Sequence, residues 1–584
     1  MAYQSIPLER FSETFATSTE LSSVAIGGNI VSFSDEFFAE AFHLLLAEPA
    51  PSLKGQFGPK GALYSGWETR RHNPTYDWVV IKLGTTGTVK GFDIDTTHFN
   101  GNEAPEASVQ AVNVPDGEAP PTADDSRWSE ILPKVKLGPT SRHLFTVPET
   151  SPINYVKLNM YPDGGIARFR VYGDVVAIHP ASSEKLFDAA HVFAGGRVVF
   201  TSDQHFGVGS NLILPGRGKD MGDGWETKRS RQPNHKDWVI IKLGAPVYLS
   251  DISVDTAHFK GNFPQYCEVH AIQSATDIPP HSPSHQPPAS ANPQSEANAT
   301  ASSQDEWTLV LSKAYLGPHR EHSFQLENVV DQKFTHIRLT IYPDGGVKRI
   351  RAFGSKVPSD GRLGGALETA GEAVTSADSV SSVLDKPSRS IPALPITPEA
   401  FSPFSQVIQS YPDVNAVPSP RTTKVTPANF GTALKYHKLA LLDSSYPEGS
   451  GATPGISVYH CQPVEVVRVG NAGQVEVNAL ERHPHTNQAF IPMGKDAGKR
   501  YVVVVGLNSP EDKPDLQSLR AFLVRGDQGI VYNKAVWHLP MTVLDGPMDL
   551  ACVETQIGNG DASDYEIVEL KGEESRIVVR ISNA

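Results

Sequence analysis

Apolar residues in this chain recur in short runs and not in long helical stripes. Trp78-Val-Val-Ile-Lys-Leu, Val156-Lys-Leu-Asn-Met and Ala167-Arg-Phe-Arg-Val-Tyr are buried or alternating β-formers. Glycine and proline turns separate them, a pattern that predicts strands. Many short strands with few helical patterns predict β-sandwiches or jelly rolls. The pattern changes near Leu394. Residues 396–407 read as a capped helix, with Thr397 as N-cap and Pro398 as first helical residue. Strand candidates follow at Gly455–Tyr459, Gln488–Pro492, Tyr501–Val505 and Ala521–Val524, predicting one small β-barrel-like domain with helical additions. No run reaches the ~20 apolar residues of a membrane span.

The first pattern occurs twice. Gly66-Trp67-Glu68-Thr69-Arg70-Arg71 matches Gly224-Trp225-Glu226-Thr227-Lys228-Arg229, and Asp77-Trp78 with its apolar run matches Asp237-Trp238. Asp95-Thr-Thr-His98-Phe99-Asn-Gly101-Asn102 matches Asp255-Thr-Ala-His258-Phe259-Lys-Gly261-Asn262, and Tyr161-Pro-Asp163-Gly-Gly165 matches Tyr342-Pro-Asp344-Gly-Gly346. Such self-similarity marks a duplicated unit. The second copy is longer because a Pro/Ser/Ala/Gln-rich stretch, residues 279–304, interrupts it; that composition reads as a surface loop. The expected organisation is repeat 1 over 1–178, repeat 2 over 179–357, a flexible linker over 358–394 and a separate domain over 395–584. Trp78 and Trp238 are expected in the core, with Asp77 and Asp237 capping turns.

Composition narrows the function classes. A formal net charge of −14 over 584 residues, without a basic block, argues against nucleic acid and anionic membranes and for small-molecule substrates. The three cysteines lack metal-type spacing and suit a reducing compartment. Neither the first residues nor the C-terminal ISNA reads as a targeting signal. A cytoplasmic homo-oligomer is expected.

In the duplicated half, turn chemistry accounts for the glycines and prolines but does not require the side chains of Glu68, Arg71, His98, Glu226, Arg229 and His258. These are the candidate catalytic residues, with Asn102, Asn262, Asp163 and Asp344 as candidate binding residues. At these motifs the first 355 or so residues resemble allantoicase. The resemblance implies two galactose-binding-like jelly rolls and conversion of allantoate and water to (S)-ureidoglycolate and urea. That chemistry needs a cation fork for a carboxylate, which arginine supplies, together with an acid and a base. Glu and His are available in both copies, and the acid and base stay unassigned.

The C-terminal segment carries Glu481-Arg482-His483-Pro484-His485, then Gln488-Ala-Phe-Ile-Pro, then Tyr532-Asn533 and Trp537-His538. His-x-His followed by Gln and a distant His is the layout of a cupin metal site. Together with Ile456-Ser-Val-Tyr459-His-Cys-Gln-Pro, these segments resemble ureidoglycolate lyase over most of residues 395–570. The resemblance implies a cupin-like β-barrel and release of urea from ureidoglycolate to leave glyoxylate, with no compulsory cofactor. It does not require a histidine at 485, so a divalent metal in the barrel stays open. Arg482 is the candidate carboxylate clamp. Glu481, His483 and His538 are candidates for proton transfer, and Gln488, Asn533 and Tyr459 for substrate binding. The rival reading is a small-molecule or sugar-binding scaffold with one or both halves inactive. Repeated Glu, His and Arg in both copies argue against it.

Overall fold

The computed structural model describes residues 3–183, 185–279, 307–357, 389–411, 425–469, 472–494, 498–558, 560–570 and 576–582. The low-complexity stretch of repeat 2 and most of the expected linker lie outside these. The described chain is mostly β, as its pattern predicts. Among the described residues, no helix is long and apolar enough to cross a membrane.

Each repeat is organised around one exceptionally long strand, Asp77–Asp95 in the first and Asp237–Asp255 in the second. The first part of Asp77–Asp95 pairs with Asn29–Phe33 and Ile153–Tyr161. Its last part pairs with Arg142–Thr146 and Arg168–Val175. The strand is therefore shared by both layers of the sandwich, and the register shifts where it curls. Repeat 2 reproduces the scheme with Arg197–Thr201, Phe334–Tyr342, Glu321–Gln325 and Arg349–Lys356. The cores are apolar, including Val79, Ile81, Leu158 and Phe169 in the first copy and Val239, Ile241, Leu339 and Ile350 in the second.

The tryptophans differ from the expectation. Trp67 and Trp225 are the fully buried pair, whereas Trp78 is only partly buried and packs on a small outer cluster. Trp238 is likewise half-buried. The reason is strand alternation: with Val79 and Ile81 facing inward, Trp78 has to face out. Asp77 and Asp237 do not cap their own turns. Each accepts a hydrogen bond from a serine of a neighbouring strand, Ser34 Oγ at 2.7 Å and Ser202 Oγ at 2.8 Å.

The C-terminal domain begins earlier than expected. Arg389–Pro395, placed in the linker by its composition, is a strand paired in parallel with Ile577–Ser582 and Arg520–Arg525. Ile391 is fully buried and supplies the apolar anchor that the Ser- and Pro-rich context conceals. Thr397 caps the helix as expected, accepting the Ala400 N–H at 3.2 Å. That helix covers only Pro398–Phe401, and Ser405–Ile408 is a strand. Two sheets then close on each other. The smaller runs in the order Ser405–Ile408, Gly529–Tyr532, Gln488–Met493, Met548–Gln556, Thr453–Cys461.

Glycines set the closest approaches in the duplicated half. A Cβ at Gly346 would stand 1.9 Å from the Phe259 ring, whereas one at Gly261 would meet nothing within 4 Å. We expect Gly346→Ala to destabilise repeat 2 by about 1–3 kcal/mol and Gly261→Ala to leave it unchanged, as read by thermal unfolding. Equal melting temperatures for both variants would show that Phe259 yields freely.

Candidate active sites

The duplicated half builds the same polar quartet twice. Glu68 lies on the two-residue strand Trp67–Glu68, which pairs with Gly165–Ile166 directly after the Tyr-Pro-Asp-Gly-Gly loop. That pairing brings Asp163 to the segment holding Glu68 and Arg71. Arg71 Nη1 donates to Asp163 Oδ1 at 3.2 Å, and its Nη2 lies 3.6 Å from Glu68 Oε1. Asn102 donates to Glu68 Oε1 at 3.0 Å. Burial pushes the Glu68 carboxyl up from its ordinary range, against the Asn102 hydrogen bond and the Arg71 charge, which pull it down.

In repeat 2, Asn262 donates to Glu226 at 2.6 Å and Arg229 to Asp344 at 3.3 Å. The second quartet is more open. The Arg229 side chain is 58% exposed against 33% for Arg71, and its second contact is the Gly261 carbonyl instead of the glutamate.

The histidines are placed differently. His98 and His258 both occupy left-handed backbone positions, with φ of 72° and 69°. His98 Nε2 contacts the Ala50 carbonyl at 3.1 Å, and the His258 N–H donates to His319 Nδ1 at 2.7 Å. The structure therefore brings Glu, Arg, Asn and Asp together in each copy and gives each histidine a turn position with local partners.

Other recurrent residues support the quartets and were passed over in the sequence. Asp35 and Asp203 each accept the tryptophan indole N–H on the backbone carbonyl at 2.8 Å and the N–H of the following basic residue on the carboxylate at 2.8 Å. Lys134 and Lys313 sit over the rings of Tyr161 and Tyr342, at 3.8 and 4.2 Å from the centroids. The signal was present: both lysines precede the same Leu-Gly-Pro by three residues.

The C-terminal domain contains a cavity of about 340 Å³ lined by Tyr459, Cys461, Glu481, His483, His538 and Tyr565, with Phe490, Pro540 and Met541 as its apolar wall. Pairing of Ala479–Arg482 with Trp537–His538 sets Glu481 directly opposite His538. Glu481 Oε1 lies 3.5 Å from His538 Nε2. Both imidazoles are oriented from behind: His483 Nδ1 donates to the Asp564 carbonyl and His538 Nδ1 to the Val536 carbonyl, each at 3.0 Å. A carbonyl only accepts, so Nδ1 carries a proton in both rings, and Nε2 is the atom that a neutral ring has available as a ligand. His538 Nε2 is buried without a hydrogen-bond partner. The donor atoms of Glu481, His483 and His538 lie within 4.8 Å of one another, a set fit for a divalent first-row cation. Burial, and then the neighbouring His538, pushes the His483 imidazole down to about 4 and keeps it neutral. Burial raises the Glu481 carboxyl, but its histidine neighbours outweigh this and hold it below its ordinary value.

Two expectations are corrected here. Arg482 follows Glu481 on the strand and therefore faces the other side. Its guanidinium is spent on Asp512 at 2.7 Å and Glu566 at 2.6 Å, and it lies over the Trp537 ring. It is a buried clamp between the neighbouring strand Glu566–Glu569 and the Asp512 turn, and it does not line the cavity. Gln488 and Asn533 are also outside the lining: Gln488 donates to Glu554 at 2.8 Å, and Asn533 accepts from Ser405 Oγ at 2.8 Å. His485 is not a third histidine of the cluster, because its ring lies against Tyr446 beyond the strand end.

A repeated sandwich with paired carboxylate–guanidinium sites, joined to a barrel with a histidine–carboxylate cavity, defines an enzyme with two kinds of site. The allantoicase repeat profile matches residues 19–176 and 187–357, and the ureidoglycolate lyase profile matches residues 388–575. The chain belongs to the allantoicase family and carries a ureidoglycolate lyase domain at its C-terminal end. It is 47% identical to a probable allantoicase of Schizosaccharomyces pombe over 58% of its own length and 93% of that protein. Its identity to the allantoicase of Saccharomyces cerevisiae is 44%, over 56% and 91%. The crystal structure of the Saccharomyces cerevisiae allantoicase superposes with a TM-score of 0.51 at 40% identity, covering 60% of this chain and all of that one.

We expect Arg482→Lys to lower the melting temperature of the C-terminal domain, with a loss of about 1–3 kcal/mol, and to leave the KM for ureidoglycolate unchanged. A tenfold rise in KM at unchanged stability would return Arg482 to the substrate.

Proposed function

We propose that this chain degrades allantoate in two steps, each releasing urea. The duplicated half hydrolyses allantoate to (S)-ureidoglycolate and urea, and the barrel domain cleaves ureidoglycolate to glyoxylate and urea. The observation that carries this reading is the joining of the two families in one chain, since the product of the first reaction is the substrate of the second. Incubating the purified protein with allantoate, while following urea and glyoxylate separately, tests it. Two ureas and one glyoxylate per allantoate are expected, and urea without glyoxylate would remove the second activity.

For the first step we assign the repeat 1 quartet the principal role, because its arginine is the less exposed and reaches both carboxylates. Arg71 reads the substrate carboxylate and Glu68 moves the proton, with Asn102 setting the ionisation of Glu68. Glu226, Arg229, Asn262 and Asp344 form the more open second copy. His98 and His258 shape the turns beside these sites.

For the second step, a carboxylate-bearing substrate enters a cavity that has no lysine or arginine among its lining residues. Glu481, His483 and His538 would hold a divalent metal there, and such an ion supplies the positive charge that the substrate carboxylate and hydroxyl require. Tyr459 and Tyr565 border the same space and orient the ureido group.

Two measurements follow. Asn102→Ala removes a hydrogen bond that stabilises the Glu68 carboxylate, so the Glu68 pKa rises further. The limb of the allantoate pH–rate profile governed by Glu68 then moves to higher pH. Movement of the acid limb assigns Glu68 as base and movement of the alkaline limb assigns it as acid; a stationary profile excludes it from proton transfer. Second, dialysis against a chelator should abolish glyoxylate release and spare the first urea. His538→Ala should lose the metal that elemental analysis finds in the wild-type protein. A metal-free wild-type protein with full second-step activity would refute the metal site.

A further inference from the structure

The two halves meet at a surface that the repeats themselves make visible. On repeat 1, the edge strand Arg142–Thr146 is covered by the chain's own N-terminal strand, Gln4–Ile6. The equivalent edge of repeat 2, Glu321–Gln325, has no such strand among the described residues, and the C-terminal domain's Arg389–Pro395 and Pro398–Phe401 lie against it. The consequence shows in matched residues. Leu316, Gly317 and Pro318 of repeat 2 are buried, whereas their counterparts Leu137, Gly138 and Pro139 are partly or fully exposed. His322 and its counterpart His143 have identical backbone partners. Each accepts a glycine N–H on Nε2 at 2.8 Å and contacts a carbonyl through Nδ1 at 3.0 Å. His143 is half-buried, yet His322 is fully buried.

The group that covers His322 is Glu399. Glu399 is 3% exposed, and neither of its carboxylate oxygens has a hydrogen-bond partner among the described residues. It faces Arg320 at 3.6 Å and His322 at 3.7 Å, both from repeat 2. Gly317 leaves the space for it, since a Cβ there would stand 2.2 Å from Glu399 Oε1. Ala400 packs on the repeat 2 core, and Tyr411 lies under the Arg320 guanidinium at 5.2 Å. At the rim, Arg520 of the C-terminal domain donates to Glu327 of repeat 2 at 2.9 Å. The two ion pairs run in opposite senses: repeat 2 offers a cation to Glu399 and an anion to Arg520. Any docking that exchanged the two places would set like charges together, so the pair fixes orientation.

We propose that the C-terminal domain is docked on the 316–327 face of repeat 2 as a fixed partner and stays there without the connecting chain. This overturns the picture of independent domains on a flexible tether that the composition of residues 358–394 suggests. The face is a receiving surface for an acidic helix turn followed by an aromatic residue, and it is specific to repeat 2 because repeat 1 fills the same edge with its own N-terminus.

A protease site placed between residues 358 and 388 of the full-length protein tests this. After cleavage, both pieces should elute together at micromolar concentration in size-exclusion chromatography. Arg520→Glu should weaken the cleaved complex by about tenfold or more, and Glu327→Arg added to it should restore association. The rim pair is chosen because Glu399 is buried, and its replacement risks misfolding. Separation of the cleaved wild-type pieces at micromolar concentration overturns the proposal, and so does a double variant that remains as weak as Arg520→Glu alone.

Discussion

Everything in the duplicated half hangs on a buried arginine. Arg168 is 1% exposed, and its guanidinium donates to the carbonyls of Glu48, Ser65 and Ala167 and to the Ser65 hydroxyl. A buried cation without such acceptors costs several kcal/mol. Satisfied by them, it ties the loop that ends at Ser65 to the strand that begins at Arg168. Glu68 lies three residues beyond one end of that tie and Asp163 five residues before the other. Repeat 2 uses Arg349 in the same way, on the carbonyls of Gly216, Asp223 and Lys348. Burial, and then the nearby Arg351, lowers its guanidinium to about 10. The polar quartets are thus spaced by a group that never touches them.

The two kinds of site proposed for an anionic substrate differ in the charge they present. The quartets place permanent guanidinium charges at the surface and keep the carboxylates partly buried behind them. The barrel cavity has a neutral His483 and a carboxylate, and no lysine or arginine among its lining residues.

Much of this was legible in the sequence, for physical reasons. Runs such as Tyr501–Val505 have to be strands, and two copies of Trp-Glu-Thr-basic-Arg have to be one structural unit used twice. Even the Arg482 error was avoidable: neighbouring residues on a strand face opposite sides, so Glu481 and Arg482 never share a cavity. Asp163 beside Arg71 was harder, because a pairing of two-residue strands carries no periodic signal. The docking of the C-terminal domain was not legible. Glu399 reads as an ordinary acidic residue in a first helical turn, and only the folded chain shows that Arg320 lies opposite. Histidines at left-handed turn positions are similarly invisible in a single sequence.

The long strand of each repeat has a consequence for how the molecule comes apart. Because Asp77–Asp95 belongs to both layers, neither layer can peel away and leave the other standing. Its first part and its last part pair with different strands, so loosening either set disturbs the strand on which the other set rests. Each sandwich is therefore a single cooperative unit, and the quartet at its rim survives or is lost together with the strand at its centre.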